Sequence, residues 1–487
     1  MAIQKIIKEY GLDKCLEKHF GKKAGLFLDL VAYMIVEGRN QGQYYPDYAY
    51  HHPLFSEAGK PVSDSTVSNF LADVTNDQIT GFLDDWNADR DHSSRIYVSY
   101  DSTNKNCQAG DIDFVEFGKA KDEKGLPIFN VSVAFDKTNQ VPLFYEQYPG
   151  SINDVSQFRY FVDKAMAYNY RNIGFILDRG YFSKDNIRYM DDKGYSFVMM
   201  VKGCKKLLSS LIDQHRSSFE HRRDCSLWRH HVHGTTIQGK LFAEDEKERY
   251  FHLYFSAEKM AQERQQFEEK LAQMARFLHD CEGKAIVFDK PYTTYFELFY
   301  DDKGQLCFAK EKTNATEREL LRCGYFCIVT SDKMSAQEAY ALYKGRDSSE
   351  KLFSSDKSFL GSRSMRVQTK EAVSAKILIE FVALIVRNRI YNLLKEQILK
   401  PPVKKNYLTV PAAIRELEKI EIERINNMHY QLDNALTRTQ QVILSSFGIP
   451  EDDVKSSVGT LVARLAKNTD VVTEDNEQDE EDDDAQA

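Results

Sequence analysis

The order of predicted strands and helices between residues 95 and 203 constrains the fold more than any other feature of the sequence. Apolar runs bounded by polar or turn-forming residues predict five strands, at residues 95–100, 128–135, 141–148, 172–177 and 196–201. Amphipathic segments predict one helix on either side of the fourth strand, at residues 155–168 and 183–193. The resulting order, β-β-β-α-β-α-β, is a three-stranded meander followed by α/β units, and it predicts an α/β core.

Segments of different character flank and interrupt this core. At residues 65–68, Ser-Thr-Val-Ser is compatible with the start of a helix-turn-helix recognition helix and equally with a plain helical bundle. The sequence predicts six segments: a helical region (1–92), the first part of the core (93–203), a separate β-rich insertion (204–320), the second part of the core (321–400), a helical C-terminal region (401–469) and a disordered acidic tail (470–487).

Charge, hydropathy and cysteine spacing limit the class of protein without selecting a function. Residues 474–484 hold nine acidic side chains, so the rest of the chain sums to −9 + 9 = 0, and local basic faces for phosphate stay open. The most apolar stretches, 25–36 and 377–386, are short and contain Asp29 and Glu380, so we expect no membrane span. None of the 8 cysteines forms a CxxC pair, which favours reduced thiols in a cytoplasmic protein.

Two aspartates follow predicted strands of the core. Asp101 comes directly after the first strand and Asp178 directly after the fourth. Each could cap the turn that follows its strand, which is a common role of Asp at such positions. Because both strands belong to the same predicted sheet, the two carboxylates could instead share divalent metal ions, which prefer hard oxygen ligands.

A third carboxylate lies in a regularly spaced group of polar residues. Tyr343, Arg346, Glu350 and Lys357 have offsets of 0, 3, 7 and 14, which fall on one face of a helix; the helix is predicted at 336–352, and Lys357 joins that face if the helix continues. A solvated charged face would give the same pattern. The functional interpretation is that Glu350 completes a metal site, while Arg346 and Lys357 bind phosphate oxygens.

The spacing Y-x2-R-x3-E-x6-K resembles the signature of the bacterial insertion-sequence transposases of the insertion-sequence-four group, at all four positions and all three spacers. Tyr-Asp-Ser-Thr at 100–103 resembles the first-aspartate region of that group, and Ile-Leu-Asp-Arg-Gly-Tyr-Phe at 176–182 resembles its second. The resemblance covers roughly residues 95–203 and 321–395. Asp347 and Ser349 depart from the group, which often has Trp and an apolar residue at these positions.

The resemblance implies an RNase H-like catalytic core with a mixed five-stranded sheet, interrupted by the β-rich insertion. It implies a DDE transposase in which Asp101, Asp178 and Glu350 hold two Mg²⁺ ions, with Mn²⁺ as a substitute. Such an enzyme cleaves double-stranded DNA at the element ends and joins it to target DNA. Tyr343, Arg346 and Lys357 would contact the DNA, residues 1–92 would bind the ends, and residues 401–469 would support a homodimer or a larger synaptic assembly.

Three alternatives stay open from the sequence. The chain could be an RNase H-like nuclease without strand transfer, or a catalytically inactive DNA-binding regulator derived from a transposase. A cluster of imidazoles and a thiol in the insertion could hold zinc, although the spacing matches no standard finger: His221, Cys225, His230, His231 and His233.

Overall fold

The computed structural model describes residues 1–56, 61–109, 112–202, 204–347, 357, 359–361, 363–399, 408–426 and 429–461. Ser349, Glu350 and the whole of the predicted acidic tail (470–487) therefore lie outside the described residues, as do residues 462–469. The chain divides into two compact units. Unit 1 contains Met1–Ile173 and Asp347–Ala487, and unit 2 contains Gly174–Arg346.

The described chain is a mixed α/β protein. Its strands are β1 (Ile96–Cys107), β2 (Ile128–Asp136), β3 (Val141–Pro149), β4 (Ile173–Leu177), β5 (Ser196–Met200), β6 (Ser226–Leu227), β7 (Val232–Lys240), β8 (Glu248–Phe255), β9 (Phe296–Tyr300), β10 (Leu306–Glu311), β11 (Tyr325–Thr330), β12 (Ser364–Met365), β13 (Ile422–Asn426) and β14 (His429–Leu432). Its helices are α1 (Ala2–Glu9), α2 (Leu12–Phe20), α3 (Ala24–Glu37), α4 (Tyr45–His51), α5 (Asp64–Ala72), α6 (Asn76–Ala88), α7 (Asp154–Ala167), α8 (Lys184–Asp192), α9 (Lys205–His215), α10 (Ala257–Asp280), α11 (Lys290–Tyr295), α12 (Thr313–Leu320), α13 (Ala336–Lys344), α14 (Lys370–Leu399), α15 (Val410–Glu418) and α16 (Arg438–Ser446).

The N-terminal part of unit 1 is helical, from α1 to α6. Helix α6 begins with a capping box, in which Thr75 accepts from the backbone of Gln78 and the Gln78 side chain accepts from the backbone of Thr75. Helix α5 begins two residues earlier than the Ser-Thr-Val-Ser pattern suggests, because Ser63, and not Ser65, is the N-cap and accepts from Thr66 N. Helix α3 is apolar on nearly all sides and is buried, as expected for the central helix of a bundle.

The sheet of unit 1 is built on the predicted meander. β2 lies between β1 and β3, antiparallel to both, and β12 pairs with β1 in parallel. β1 continues to Cys107, so the prediction that this strand ends at Asp101 is wrong. The polar residues after Asp101 stay in the strand because they pair with β2, from Ser102 opposite Ser132 to Asn106 opposite Ile128. Asp101 therefore lies within the strand, opposite Val133.

Helices cover both faces of this sheet. α7 packs on the face of Tyr100, whose ring centroid lies 4.0 Å from that of Phe161. α14 packs on the opposite face, where the rings of Tyr145 and Phe381 lie 5.2 Å apart. Side chains alternate along a strand, so Asp101 projects to the same face as Lys105, the face that α14 covers.

Two buried ionic groups connect β1 with α14. Lys105 Nζ lies 2.9 Å from Glu380 Oε2, and the two side chains are only 2% and 3% exposed. Lys376, one turn before Glu380, is also buried, and burial lowers its pKa to about 8. The acids noted within the apolar stretches thus have structural partners, since Asp29 accepts hydrogen bonds from the backbone N–H groups of residues 55 and 56. Among the residues that the structure describes, no helix combines the length and the apolar character needed to cross a membrane.

Unit 2 contains a six-stranded sheet in the order β4-β5-β11-β8-β7-β6. β4 and β5 are parallel, and the remaining neighbours are antiparallel. Strands β6, β7 and β8 come from the predicted insertion, yet they extend the sheet that holds β5, so the expectation of a separate β subdomain at 204–320 is wrong for them. The physical reason is that β8 is apolar and buried through Phe251, Leu253 and Tyr254, and it pairs along its length with β11.

The second half of the predicted insertion has a core of its own. Helix α10 packs against the β9–β10 hairpin through buried apolar side chains: Leu271, Met274, Leu278, Cys281, Phe288, Phe296 and Leu306. This part contains more helix than strand, because α10 alone spans 24 residues, whereas β9 and β10 span 5 and 6.

Candidate active-site residues

Asp178 lies where the sequence predicts it, directly after a buried strand. All five residues of β4 are buried, and the chain turns immediately afterwards into a short 3-10 helix, Arg179–Tyr181. The backbone N–H of Tyr181 donates to the carbonyl of Asp178, at 3.0 Å, which fixes the turn. The Asp178 side chain is 36% exposed, so its carboxylate is accessible at the end of the strand.

Two residues of the sequence signature converge on Asp178, although they are more than 160 positions away in the chain. Arg346 Nη1 donates to Asp178 Oδ1 in an ion pair, and the Arg346 side chain is 19% exposed. The Arg346 guanidinium carbon lies 5.4 Å from the centroid of the Tyr343 ring. Burial raises the pKa of Tyr343 to about 12, so its hydroxyl is protonated at neutral pH. Unit 2 therefore holds a group of carboxylate, guanidinium and phenol.

The helix that carries Tyr343 is shorter than predicted. α13 begins with a capping box between Ser335 and Glu338 and ends at Lys344. Asp347 is helical again, and residues 348–352 of the predicted helix lie outside the described residues. Gly345 follows as the C-cap, consistent with the weak helix propensity of glycine, and Arg346 lies beyond it. Tyr343 and Arg346 are thus held together by a helix end and the following turn. Glu350 lies outside the described residues.

Asp101 lies in unit 1, within β1. It is half-buried, and its Oδ1 accepts from the backbone N–H of Ser102 at 2.9 Å. It lies on the same strand face as Lys105, four residues further along β1.

Lys357 is also paired with an acid. Its Nζ bonds to Asp122 Oδ2, and only 14% of the Lys357 side chain is exposed. The loop that carries Asp122 is fastened along β1, because Lys121 Nζ donates to the Ser102 carbonyl at 2.6 Å and Lys121 N donates to Asn104 Oδ1 at 3.0 Å. The sequence gives no signal for Asp122, because a loop residue 235 positions from its partner belongs to no periodic pattern.

The imidazoles of the predicted insertion do not form a metal-binding group. The described chain has sets of three possible metal-ligating side chains elsewhere, and none of these sets includes His221, Cys225, His230, His231 or His233. His231 instead ends a short 3-10 helix in the left-handed conformation.

Comparison with known proteins places these residues in one context. The family model described as the transposase DDE domain matches residues 98–386, which is more than half of the 487 residues and includes Asp101, Asp178 and Tyr343–Arg346. One solved structure aligned with this chain is the cryo-EM structure of the piggyBac transposase synaptic complex with hairpin DNA, at 7% identity and a TM-score of 0.37, over 83% of this chain and 79% of that chain. No curated protein matches the sequence.

Proposed function

The chain belongs to the transposase DDE-domain family, and from that premise we propose that it is the transposase of a bacterial insertion sequence of the insertion-sequence-four group. It cleaves DNA at the ends of its element and joins those ends to target DNA. The observation that carries the proposal is the contact of Arg346 with Asp178, because it joins a residue of the family signature to the aspartate of the second motif.

We assign catalysis to Asp101, Asp178 and Glu350. The two that the structure describes are partly exposed carboxylates, and their oxygens are the hard donors that Mg²⁺ and Mn²⁺ prefer, so the donor set fits a divalent metal. Bound there, two such ions would activate the attacking oxygen and stabilise the leaving oxygen during phosphoryl transfer.

Arg346 has two roles in this proposal. Without DNA, its guanidinium balances the charge of Asp178 and holds the carboxylate at the strand end. When a DNA end binds, the guanidinium can take a phosphate in a forked geometry and leave Asp178 to its catalytic partners. Tyr343, held against Arg346, is placed to stack on or hydrogen-bond the terminal nucleotide.

Lys357 follows the same logic at the loop that carries Asp122. Because the Lys357 ammonium is paired with Asp122, it is held in position before DNA binds. When DNA binds, the ammonium can exchange the carboxylate for a DNA phosphate. The partners in this proposal are double-stranded DNA at the element ends and at the target, and a second copy of the chain in a synaptic assembly.

The decisive experiment compares four variants on DNA that carries the ends of the element. Asp101→Asn, Asp178→Asn and Glu350→Gln should each lower cleavage about a thousandfold or more, since each removes several kcal/mol of charge stabilisation. All three should still bind the ends. Asp192→Asn, an exposed acid at the end of α8, is the matched control and should cleave like the wild type.

The same assay separates the alternatives. A wild-type protein that cleaves but never joins ends to target DNA would be a nuclease. One that binds ends with Mg²⁺ or Mn²⁺ present and never cuts would be an inactive regulator. Full cleavage by any of the three triad variants would refute the assignment of that residue.

A further inference from the structure

Two helices of the N-terminal region bring together a thiol, an imidazole and a carboxylate. Cys15 and His19 are four residues apart on α2, so they lie on the same helix face, and Asp85 faces them from α6. One ligand atom from each of the three side chains lies within 4.8 Å of the other two. All three side chains are half-buried.

We propose that Cys15, His19 and Asp85 form a binding site for a transition-metal ion, with Zn²⁺ as the best chemical match. A thiolate, an imidazole and a carboxylate are the three ligand types that zinc takes in proteins, with water as the fourth ligand. Ligand atoms on one tetrahedral zinc ion lie about 3.3–3.8 Å apart, given zinc–ligand distances of about 2.0–2.3 Å. Side-chain rotations that move the ligand atoms by about an ångström would bring these three groups from within 4.8 Å of one another to that geometry.

The backbone around the site is already arranged for it. A Cβ at Gly81 would lie 2.6 Å from both Cε1 and Nδ1 of His19, so the imidazole occupies a notch on α6 that only glycine leaves open. Gln78 Nε2 donates to the His19 carbonyl at 3.1 Å, and Cys15 Sγ donates to the Phe82 carbonyl at 3.8 Å. The Gln78 contact joins α6 to α2 without using a side chain that would bind the ion, whereas Cys15 would give up its hydrogen bond on losing its proton to bind the ion as a thiolate.

An ordinary ion pair is the rival explanation. His19 Nε2 and Lys18 Nζ each lie 2.6 Å from Asp85 Oδ2, so the carboxylate already has two partners. The Lys18 side chain is 64% exposed and can leave, in which case an ion would take the place of its ammonium. The two explanations therefore differ in what Lys18 does. It stabilises the group if the group is an ion pair, and it competes with the ion if the group is a metal site.

The test uses the full chain, stripped with a chelator and titrated with Zn²⁺ against a chromophoric competitor, and separately with Co²⁺. We expect one tight equivalent of Zn²⁺, a thiolate-to-cobalt charge-transfer band and a higher midpoint of thermal unfolding with metal. Cys15→Ser, His19→Gln and Asp85→Asn should each weaken binding by about tenfold or more, since loss of even an outer partner costs about 10–100-fold. Lys18→Ala should bind as tightly as the wild type or more tightly.

His52→Gln is the matched control. His52 lies in the other described group of possible ligands, with Glu37 and Glu418, where both carboxylates are exposed. It should leave the tight equivalent and the thiolate band unchanged. A wild-type protein without the thiolate band, or a Cys15→Ser variant that binds Zn²⁺ like the wild type, would overturn the proposal. If Cys15→Ser does not fold, the Co²⁺ titration of Asp85→Asn decides. A thiolate band that develops in this variant with the Co²⁺ affinity of the wild type would equally overturn the proposal.

Discussion

Arg346 belongs to the sequence signature, and in the structure it contacts a candidate catalytic residue. Its guanidinium contacts Asp178, and replacing it with lysine keeps the charge while removing the fork of parallel N–H donors. We expect Arg346→Lys to lower cleavage of element ends about 10–100-fold, because one charge-assisted hydrogen bond contributes about 1.5–3 kcal/mol. The free energy of unfolding should change by less than about 1 kcal/mol, since the pair is partly exposed. Single-turnover cleavage and urea unfolding measure the two effects.

Arg318→Lys is the control for that substitution. Arg318 is exposed on α12, in the same unit, and its replacement should affect neither cleavage nor unfolding. Equal cleavage by Arg346→Lys and Arg318→Lys would mean that Arg346 acts only as a positive charge.

Local patterns predict single residues of the candidate site better than they predict the contacts between those residues. Asp178 was found because an apolar strand ends before it, and Tyr343 and Arg346 because of their spacing. Their convergence on Asp178 depends on how distant segments pack, and no periodicity encodes that. Asp122 has no sequence signal for the same reason, because only the tertiary fold brings it next to Lys357.

At the scale of elements, the predictions fail where a polar segment forms a strand because it pairs with a segment that is distant in the sequence. β1 was expected to end at Asp101 because Ser102–Asn106 is polar, a composition typical of loops. In the structure this run is buried between β2 and the helices, and Lys105 is balanced by Glu380. The opposite error occurs at α13, where the periodic pattern runs through Gly345 but α13 ends at Lys344.

The Lys105–Glu380 pair should therefore be one of the strongest links between β1 and α14. Glu380→Gln leaves the ammonium groups of Lys105 and Lys376 buried without the carboxylate charge, and we expect a loss of roughly 3–5 kcal/mol in the free energy of unfolding at pH 7. The measurement is urea unfolding followed by circular dichroism.

The control is another Lys–Glu pair at the surface. Glu416 lies 2.5 Å from Lys419, whose side chain is 63% exposed, so Glu416→Gln should cost less than about 1 kcal/mol. The double variant Lys105→Met/Glu380→Leu should recover part of the loss, because apolar replacement removes both buried charges. If Glu380→Gln is as mild as Glu416→Gln, the buried pair contributes no more than a surface pair.

At the scale of the whole molecule, the sequence locates most strands but not their neighbours. The insertion is predicted to be β-rich, yet the pairing of β8 with β11, which makes part of it an extension of a larger sheet, follows from burial and not from any local signal. Hairpins are easier to predict, because their strands are consecutive, and the predicted meander contains the β2–β3 pair that the structure shows.

Charge is the whole-molecule property that the sequence gives directly. The chain carries −9, and residues 474–484 contribute nine acids, so the remainder is neutral. If phosphates bind to local basic faces, acids tethered to the same chain compete with DNA at an effective concentration that free acids do not reach. Deleting residues 474–484 should therefore strengthen binding to non-specific DNA at low salt, by about tenfold, and the difference should fade as salt screens both contacts.

Fluorescence anisotropy with a DNA duplex unrelated to the element, at several salt concentrations, measures this effect. A variant with Asn and Gln in place of the nine acids keeps the length and should behave like the deletion, whereas a variant with the same residues in a different order should behave like the wild type. The Asn and Gln variant separates charge from chain length, because it removes the negative charge of the segment and keeps its length. Identical salt curves for the wild type and the deletion would show that the acidic segment does not compete with DNA.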